Sequence, residues 1–235
     1  TRIIAAWLER IGVLPEAQAG FRLENSTEHL IAASEAFMAR ALRKGMKVYA
    51  GFIDKVDAYG GVPHSTIHDV LVALGLDKMW ARAILRSLQL GTIMFWDGRP
   101  RTTVKCTTGV PQGHPMSPLL FILYSAVINR LIETAATEIE ATRPASEGPQ
   151  HEILQLAWAD DFKLMTTSLE DLRDLLTIAM TAITGLLGIA VNVKKGKTEI
   201  MKVSADPEEA DQPPVLIDMG EPRLDLLESR PRLQR

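Results

Sequence analysis

Two short apolar runs, Ile153-Leu154-Gln155-Leu156-Ala157 and Phe162-Lys163-Leu164-Met165, flank the tetrapeptide Trp158-Ala159-Asp160-Asp161. Runs this short and β-compatible, joined by so brief a polar link, read as an antiparallel hairpin with two carboxylates at its bend. Adjacent acids on a rigid turn suit hard divalent cations such as Mg²⁺, which prefer carboxylate oxygens. Asp is also an ordinary turn residue, because its side chain bonds the local backbone. The pair gains weight from what lies upstream. Residues 48–53 form a compact apolar run, read as a buried strand, and end in Asp54. Two-ion phosphoryl chemistry needs carboxylates from separate rigid elements that hold the ions about 3.5–4 Å apart. A third acid on a strand beside the hairpin meets that need.

The chain of 235 residues suits one large domain or one and a half. Its 46% apolar and 23% charged residues are ordinary for a globular protein and argue against disorder. No apolar run comes near the roughly 20 residues of a membrane span, so no membrane partner is expected. Cys106 is the only cysteine, which excludes an internal disulfide and a zinc knuckle built from this chain, and favours a reducing, intracellular compartment. A net charge of −3 is not the basic signature of a nucleic-acid binder. Part of the acidity lies in Asp160 and Asp161, which bound metal would neutralise. Any nucleic-acid binding is therefore expected to be weak and salt-sensitive unless other domains help.

Helices are expected over residues 3–11, 26–44, 66–74, 78–90 and 115–133. Residues 92–96 and 102–107 read as a hairpin around Asp97-Gly98. Residues 135–150 are polar and interrupted by Pro144, Gly148 and Pro149, so they read as a surface insertion. Ser168 caps a helix running to about Leu187, with Asp171 completing a capping box. Residues 198–203 form a last strand. The expected domain spans 1–204, and the charged, Pro-rich segment 205–235 reads as a loose tail. Strands and helices in this irregular order imply an α+β fold, an antiparallel sheet with helices packed on one face.

Three segments, in order, resemble the core motifs of reverse transcriptases. They are Phe52-Ile53-Asp54 through Ala58-Tyr59 with Val62-Pro63-His64; Gly109-Val110-Pro111-Gln112-Gly113-His114-Pro115-Met116-Ser117-Pro118-Leu119-Leu120-Phe121; and Ala157-Trp158-Ala159-Asp160-Asp161. The detail is most similar to the non-LTR (LINE-type) retrotransposon branch. Gln18-Ala19-Gly20-Phe21-Arg22 resembles that branch's upstream segment, and Asn192-Val193-Lys194-Lys195-Gly196-Lys197-Thr198-Glu199 its fourth motif. The similarity covers residues 3–203.

The resemblance implies a right-hand polymerase palm with partial fingers and no thumb. It implies RNA-directed DNA polymerisation with an RNA template, a DNA primer and dNTP, inside a longer polyprotein and, for a retrotransposon protein, with the nucleus among its compartments. Asp54 and Asp160 would be ligands of two Mg²⁺ ions (or Mn²⁺), with Asp161 beside them and the main-chain carbonyl of Lys55 as a further ligand. Adjacent bend residues cannot aim alike, and Asp160 is the expected ligand of the pair. Tyr59 falls at the aromatic gate against a 2′-hydroxyl. Gln112 and Gly113 would approach the incoming nucleotide, and Arg22 a phosphate. Lys195 and Lys197 both fit the general acid for pyrophosphate, and spacing does not choose between them.

The pattern has departures. Trp158 stands where Tyr or Phe is usual, His114 replaces a small or acidic residue, and Gly60-Gly61 replaces an acid with a pair expected to loosen the turn. The first fingers strands, thumb, endonuclease and RNase H segments are absent from the sequence, so a fragment is expected. Two further readings stay open: a non-catalytic palm remnant, and a palm serving another templated reaction, as in maturases or telomerase-like enzymes.

Overall fold

The computed structural model describes residues 1–89, 92–96, 100–105, 107–142, 152–194 and 196–206; for 92–96 and 100–105 only the backbone course is described. The elements are α1 (Arg2–Arg10), α2 (Thr27–Arg43), β1 (Val48–Ile53), α3 (His64–Ala73), α4 (Lys78–Gln89), β2 (Thr92–Trp96), β3 (Pro100–Lys105), α5 (Ser117–Thr142), β4 (Ile153–Trp158), β5 (Asp161–Thr166), α6 (Leu169–Thr181) and β6 (Glu199–Val203). A π-helical turn, Ala182–Leu186, continues α6. The fold is α+β, as expected. Lys195 and the expected tail, from residue 207 on, lie outside the described residues. So do Cys106 and the second half of the expected surface insertion, residues 143–150.

The chain divides into two compact units. One comprises Thr1–Leu14 and Asp57–Ser125; the other comprises Pro15–Val56 and the described residues from Ala126 on. In the first, α3 packs on α4 and β2 pairs with β3. Two loops are laced together there. Val110 N–H donates to Tyr59 O at 2.9 Å, Gly109 N–H donates to Val62 O at 2.7 Å, and His64 Nε2 donates to Gly109 O at 2.7 Å. Gly109, at φ +86°, rests directly on the Gly60 backbone. Gly60-Gly61 does not loosen its turn. Asp57 O accepts from Gly61 N–H, Asp57 Oδ1 accepts from Gly60 N–H, and a Cβ at Gly60 would collide with that carboxylate.

The second unit is built on a four-stranded antiparallel sheet in the order β4-β5-β1-β6. Side chains alternate across it, so the register Ile53↔Phe162, Gly51↔Leu164 and Leu164↔Gln155 defines one face and Phe52↔Lys163, Lys163↔Leu156 the other. α6 covers the first face with Leu172 and Leu176, which lie directly over Gly51. Its start matches expectation, since Ser168 Oγ accepts from Asp171 N–H. Residues 126–142 of α5 lie on the same side, where Gln155 Nε2 donates to Asn129 Oδ1 at 2.8 Å. The second face is covered only at one end. There Phe37 and Ala41 of α2 meet Val48, Ala50 and Met165, and Arg40 and Lys44 pin the helix to Glu152. Among the described residues of this unit, the other end of that face stays open.

α5 runs nine residues beyond the expected end at 133, and Ala135, assigned to the insertion, is buried within it. With a mean hydropathy of 1.5, it is long and apolar enough to cross a membrane, alone among the described helices, contrary to the expectation that no run comes near that length. Its most apolar stretch is 67% buried inside the protein, as a core helix would be.

Candidate active site

The acid bend is a two-residue hairpin turn. Trp158 pairs with Asp161 as the last rung between β4 and β5, leaving Ala159 and Asp160 at the tip. Ala159 takes φ +55°, the positive value that tight hairpin turns require at a position where L-residues are uncommon. Asp54 follows the last residue of β1. Because Ile53 pairs with Phe162, one further step of the register sets Asp54 opposite Asp161. The sheet thus brings Asp54 and the later acid pair to one end of two neighbouring strands, the placement expected of a third acid on a strand beside the hairpin.

Electrostatics agree with that closeness. The Asp161 carboxyl is held above its ordinary range, first by partial burial and then by the negative charge of Asp160, with Asp54 adding to it. The segment after the π turn wraps Asp54. Its main-chain oxygen accepts from Asn192 N–H, its N–H donates to Thr198 Oγ1, and its Oδ2 accepts from Asn192 Nδ2 at 2.8 Å. Lys197 Nζ stands 3.9 Å from the same Oδ2. Of the two lysines expected near the acids, Lys197 is therefore adjacent to Asp54, and Lys195 lies outside the described residues.

The Lys55 side chain is a finding that sequence reasoning missed. Its ammonium is buried and donates to the main-chain oxygen of Asp160 at 2.6 Å, with the Phe162 ring 5.9 Å away. Burial pushes its pKa down from 10.5 to about 8, against the pull of Asp160, Asp161 and Asp54. Lys55, whose carbonyl is expected as a metal ligand, forms an isolated antiparallel bridge to Val191 whose hydrogen bonds run through Asp54 O and Val56 N–H. That bridge leaves the carbonyl unused.

Gln18 is the second missed residue. Its segment adds to β4 in parallel, through Ala157 N–H to Ala17 O and Ala19 N–H to Ala157 O. The fully buried Gln18 amide then holds Ala159 from both sides: Oε1 accepts from Ala159 N–H at 3.0 Å and Nε2 donates to Ala159 O at 3.1 Å. Arg22, expected to reach phosphate, donates from Nη1 to Pro15 O and Gln18 O at 2.6 and 3.0 Å, stapling this loop.

A groove of about 570 Å³ opens beside the acids on the uncovered part of the sheet. Leu30 and Ile31 of α2, Phe52, Trp158, Lys163 and Lys197 line it, with Asp54 and Asp161. Lys163 Nζ donates to Ser34 Oγ and lies 5.3 Å from the Phe52 ring, and burial lowers its pKa. The other expected site residues belong to the first unit. There Tyr59 stacks on Phe121, ring centroids 4.5 Å apart, and Gln112 and Gly113 are exposed, Gly113 at φ +87°.

The donor set fits a hard divalent cation in kind: carboxylates from two strands, mutually repelling and close to water. As arranged, no three acidic, histidine or cysteine side chains among the described residues close on one metal position. The three carboxylates would have to swing together to hold an ion.

Comparison with known proteins accords with this geometry. The family described as reverse transcriptase (RNA-dependent DNA polymerase) matches residues 1–214. The Pol polyprotein of the R2 retrotransposable element of Popillia japonica is 31% identical over 203 residues, 83% of this chain and 27% of that protein. The RNA-directed DNA polymerase of the mobile element jockey from Drosophila funebris is 30% identical over 168 residues, 66% of this chain and 16% of its own length. The chain thus spans about a quarter or less of these relatives. Among solved structures, apo telomerase from Candida tropicalis, truncated from its C-terminal domain, superposes with a TM-score of 0.60 at 15% identity, covering 88% of this chain and 40% of that one. That likeness concerns the fold alone. With motifs, sheet and family match in agreement, the chain belongs to the reverse transcriptase family, and its relatives are polymerases of the non-LTR retrotransposons R2 and jockey.

Proposed function

We propose that this chain catalyses RNA-templated addition of deoxynucleotides to a DNA primer 3′ end, as the palm part of a longer polyprotein. The observation that carries the reading is the meeting of Asp54 with Asp160 and Asp161 at one end of the β1–β5 ladder, with burial first and like charge second raising the Asp161 carboxyl. Asp54 and Asp160 would hold two Mg²⁺ or Mn²⁺ ions, with Asp161 and the Lys55 carbonyl as auxiliary oxygens. Bound there, the ions would supply positive charge that acidifies the primer hydroxyl and steadies the leaving pyrophosphate. Lys197 Nζ, beside Asp54, would give a proton to the departing pyrophosphate oxygen, a role Lys195 shares as a candidate. The Tyr59 ring, braced on Phe121, suits a fixed steric gate against a ribose 2′-hydroxyl. The exposed Gln112 amide and Gly113 backbone suit contact with the incoming dNTP. Arg22 is bound up in its own loop, so it serves this function through that loop's shape rather than through phosphate.

A second reading, a palm without catalysis, is favoured by one observation. The buried Lys55 ammonium already lies among the three acids and competes electrostatically with any cation. Primer extension on poly(rA)/oligo(dT) with Mg²⁺ or Mn²⁺ separates the two. Extension by the intact chain that disappears in Asp160→Ala is the expected result. Equal extension by both proteins removes the catalytic assignment, and none by either supports the second reading.

A further inference from the structure

The residue that presents the acids is not an acid and lies far from them in sequence. Ala159 occupies a positive φ with no glycine to accommodate it, and a residue held there persists only where its surroundings over-determine the backbone. Those surroundings are Gln18. Its amide closes on the N–H and the oxygen of Ala159 together, while Gly20 N–H donates to Gln18 Oε1 at 2.9 Å and fixes the amide's orientation. The approach is as close as chemistry allows, since a Cβ at Gly20 would collide with Ala159 N. Asp160 follows directly, so the direction of its side chain is set by the residue Gln18 grips.

We propose that Gln18 is the positioning residue of the acid bend, locking the Ala159 main chain and with it the placement of Asp160 and Asp161 at the end of the sheet beside Asp54. Nothing else in the loop could do this as well. Ala19 and Ala17 bond Ala157, which sets the edge of β4 but not its tip. The Gln18 side chain reaches past the last rung to Ala159, while Lys55 Nζ holds the next main-chain oxygen, that of Asp160. The kinetic part of the inference rests on the polymerase reading; the part concerning the bend does not.

The test uses the full chain with Gln18→Met, which keeps the volume and loses the amide, and Gln18→Glu. Readouts are hydrogen exchange across residues 157–161, Mn²⁺ affinity by electron paramagnetic resonance, and steady-state primer extension. Gln18→Met should speed exchange at Ala159, weaken Mn²⁺ about tenfold, as loss of a ligand-orienting partner typically does, and lower kcat on the order of a hundredfold with KM for dNTP little changed. Gln18→Glu keeps both accepted bonds but donates to Ala159 O only when protonated. Its activity relative to the unaltered chain should therefore climb as pH falls from 8 to 6, a recovery that simple packing would not give. A Gln18→Met protein that melts lower yet keeps its Mn²⁺ affinity and kcat makes Gln18 a packing residue and overturns the proposal. If the unaltered chain binds Mn²⁺ and loses it on Gln18→Met but extends no primer, the polymerase reading fails and the positioning role stands. If the unaltered chain does neither, the polymerase reading fails, and unchanged exchange at Ala159 in Gln18→Met then overturns the positioning role as well.

Discussion

Replacing Lys55 by Met tests the most unusual charge in the protein. The ammonium is buried, and its pKa falls from 10.5 to about 8 on folding. At roughly 1.4 kcal/mol per unit, that difference is worth about 3 kcal/mol. The sign follows from which state gives up its proton first. Below pH 8 both the folded and the unfolded chain keep the proton, and the cost of burying it is felt in full. Between pH 8 and 10.5 the folded chain has released it while the unfolded chain still holds it, so stability rises with pH. Lys55→Met lacks this group, and the two proteins should differ by an amount that changes by about 3 kcal/mol in favour of the unaltered chain across that window. Loss of the bond to Asp160 O adds only a constant offset. Urea melts followed by circular dichroism at pH 7 to 10.5, on both proteins, measure the difference. Parallel stability curves would refute the buried-cation argument, because every other lysine and tyrosine titrates equally in both.

Two further outcomes follow from the same geometry. Gly51→Ala would press a methyl to within 2.9–3.0 Å of the Leu176 methyls and should destabilise the second unit by about 1–3 kcal/mol, measurable in the same melts. Lys197→Ala should slow primer extension at least about tenfold, since Lys197 Nζ stands 3.9 Å from Asp54 Oδ2; an unchanged single-turnover rate would remove it as the acid.

Features with local causes were legible in the sequence. The strand at 48–53, the Ser168 cap and the hairpin at Asp160 each follow from signals within a few residues, and the structure has all three. That Lys197 stands beside Asp54 could not be read from spacing, because it depends on how Asn192 and Thr198 wrap the end of β1. Gln18 was visible only as part of a motif. Its partner lies 141 positions away, a separation no periodicity can reveal. The burial of the Lys55 side chain was not legible for another reason: a lysine after an acid is ordinarily solvated, and only the tertiary packing around the end of β1 drives it inward. The polar run after Glu133 was taken for loop, yet Thr134 and Thr137 return their hydroxyls to Arg130 O and Glu133 O, and the helix continues.

The strand carrying Asp54 is central in its sheet, and both its neighbours come from much later in the chain. On the ribosome, β1 emerges long before β5 or β6 and must wait with two bare edges while α5 is made. Pairing Ile53 with Phe162 spans nearly half the sequence, so closing this ladder is among the slowest contacts the chain can make. No partly finished centre can form in the interval, since its carboxylates do not share a surface until the hairpin docks. Until β5 and β6 arrive, β1 keeps unpaired edges of the kind that invite pairing with other chains.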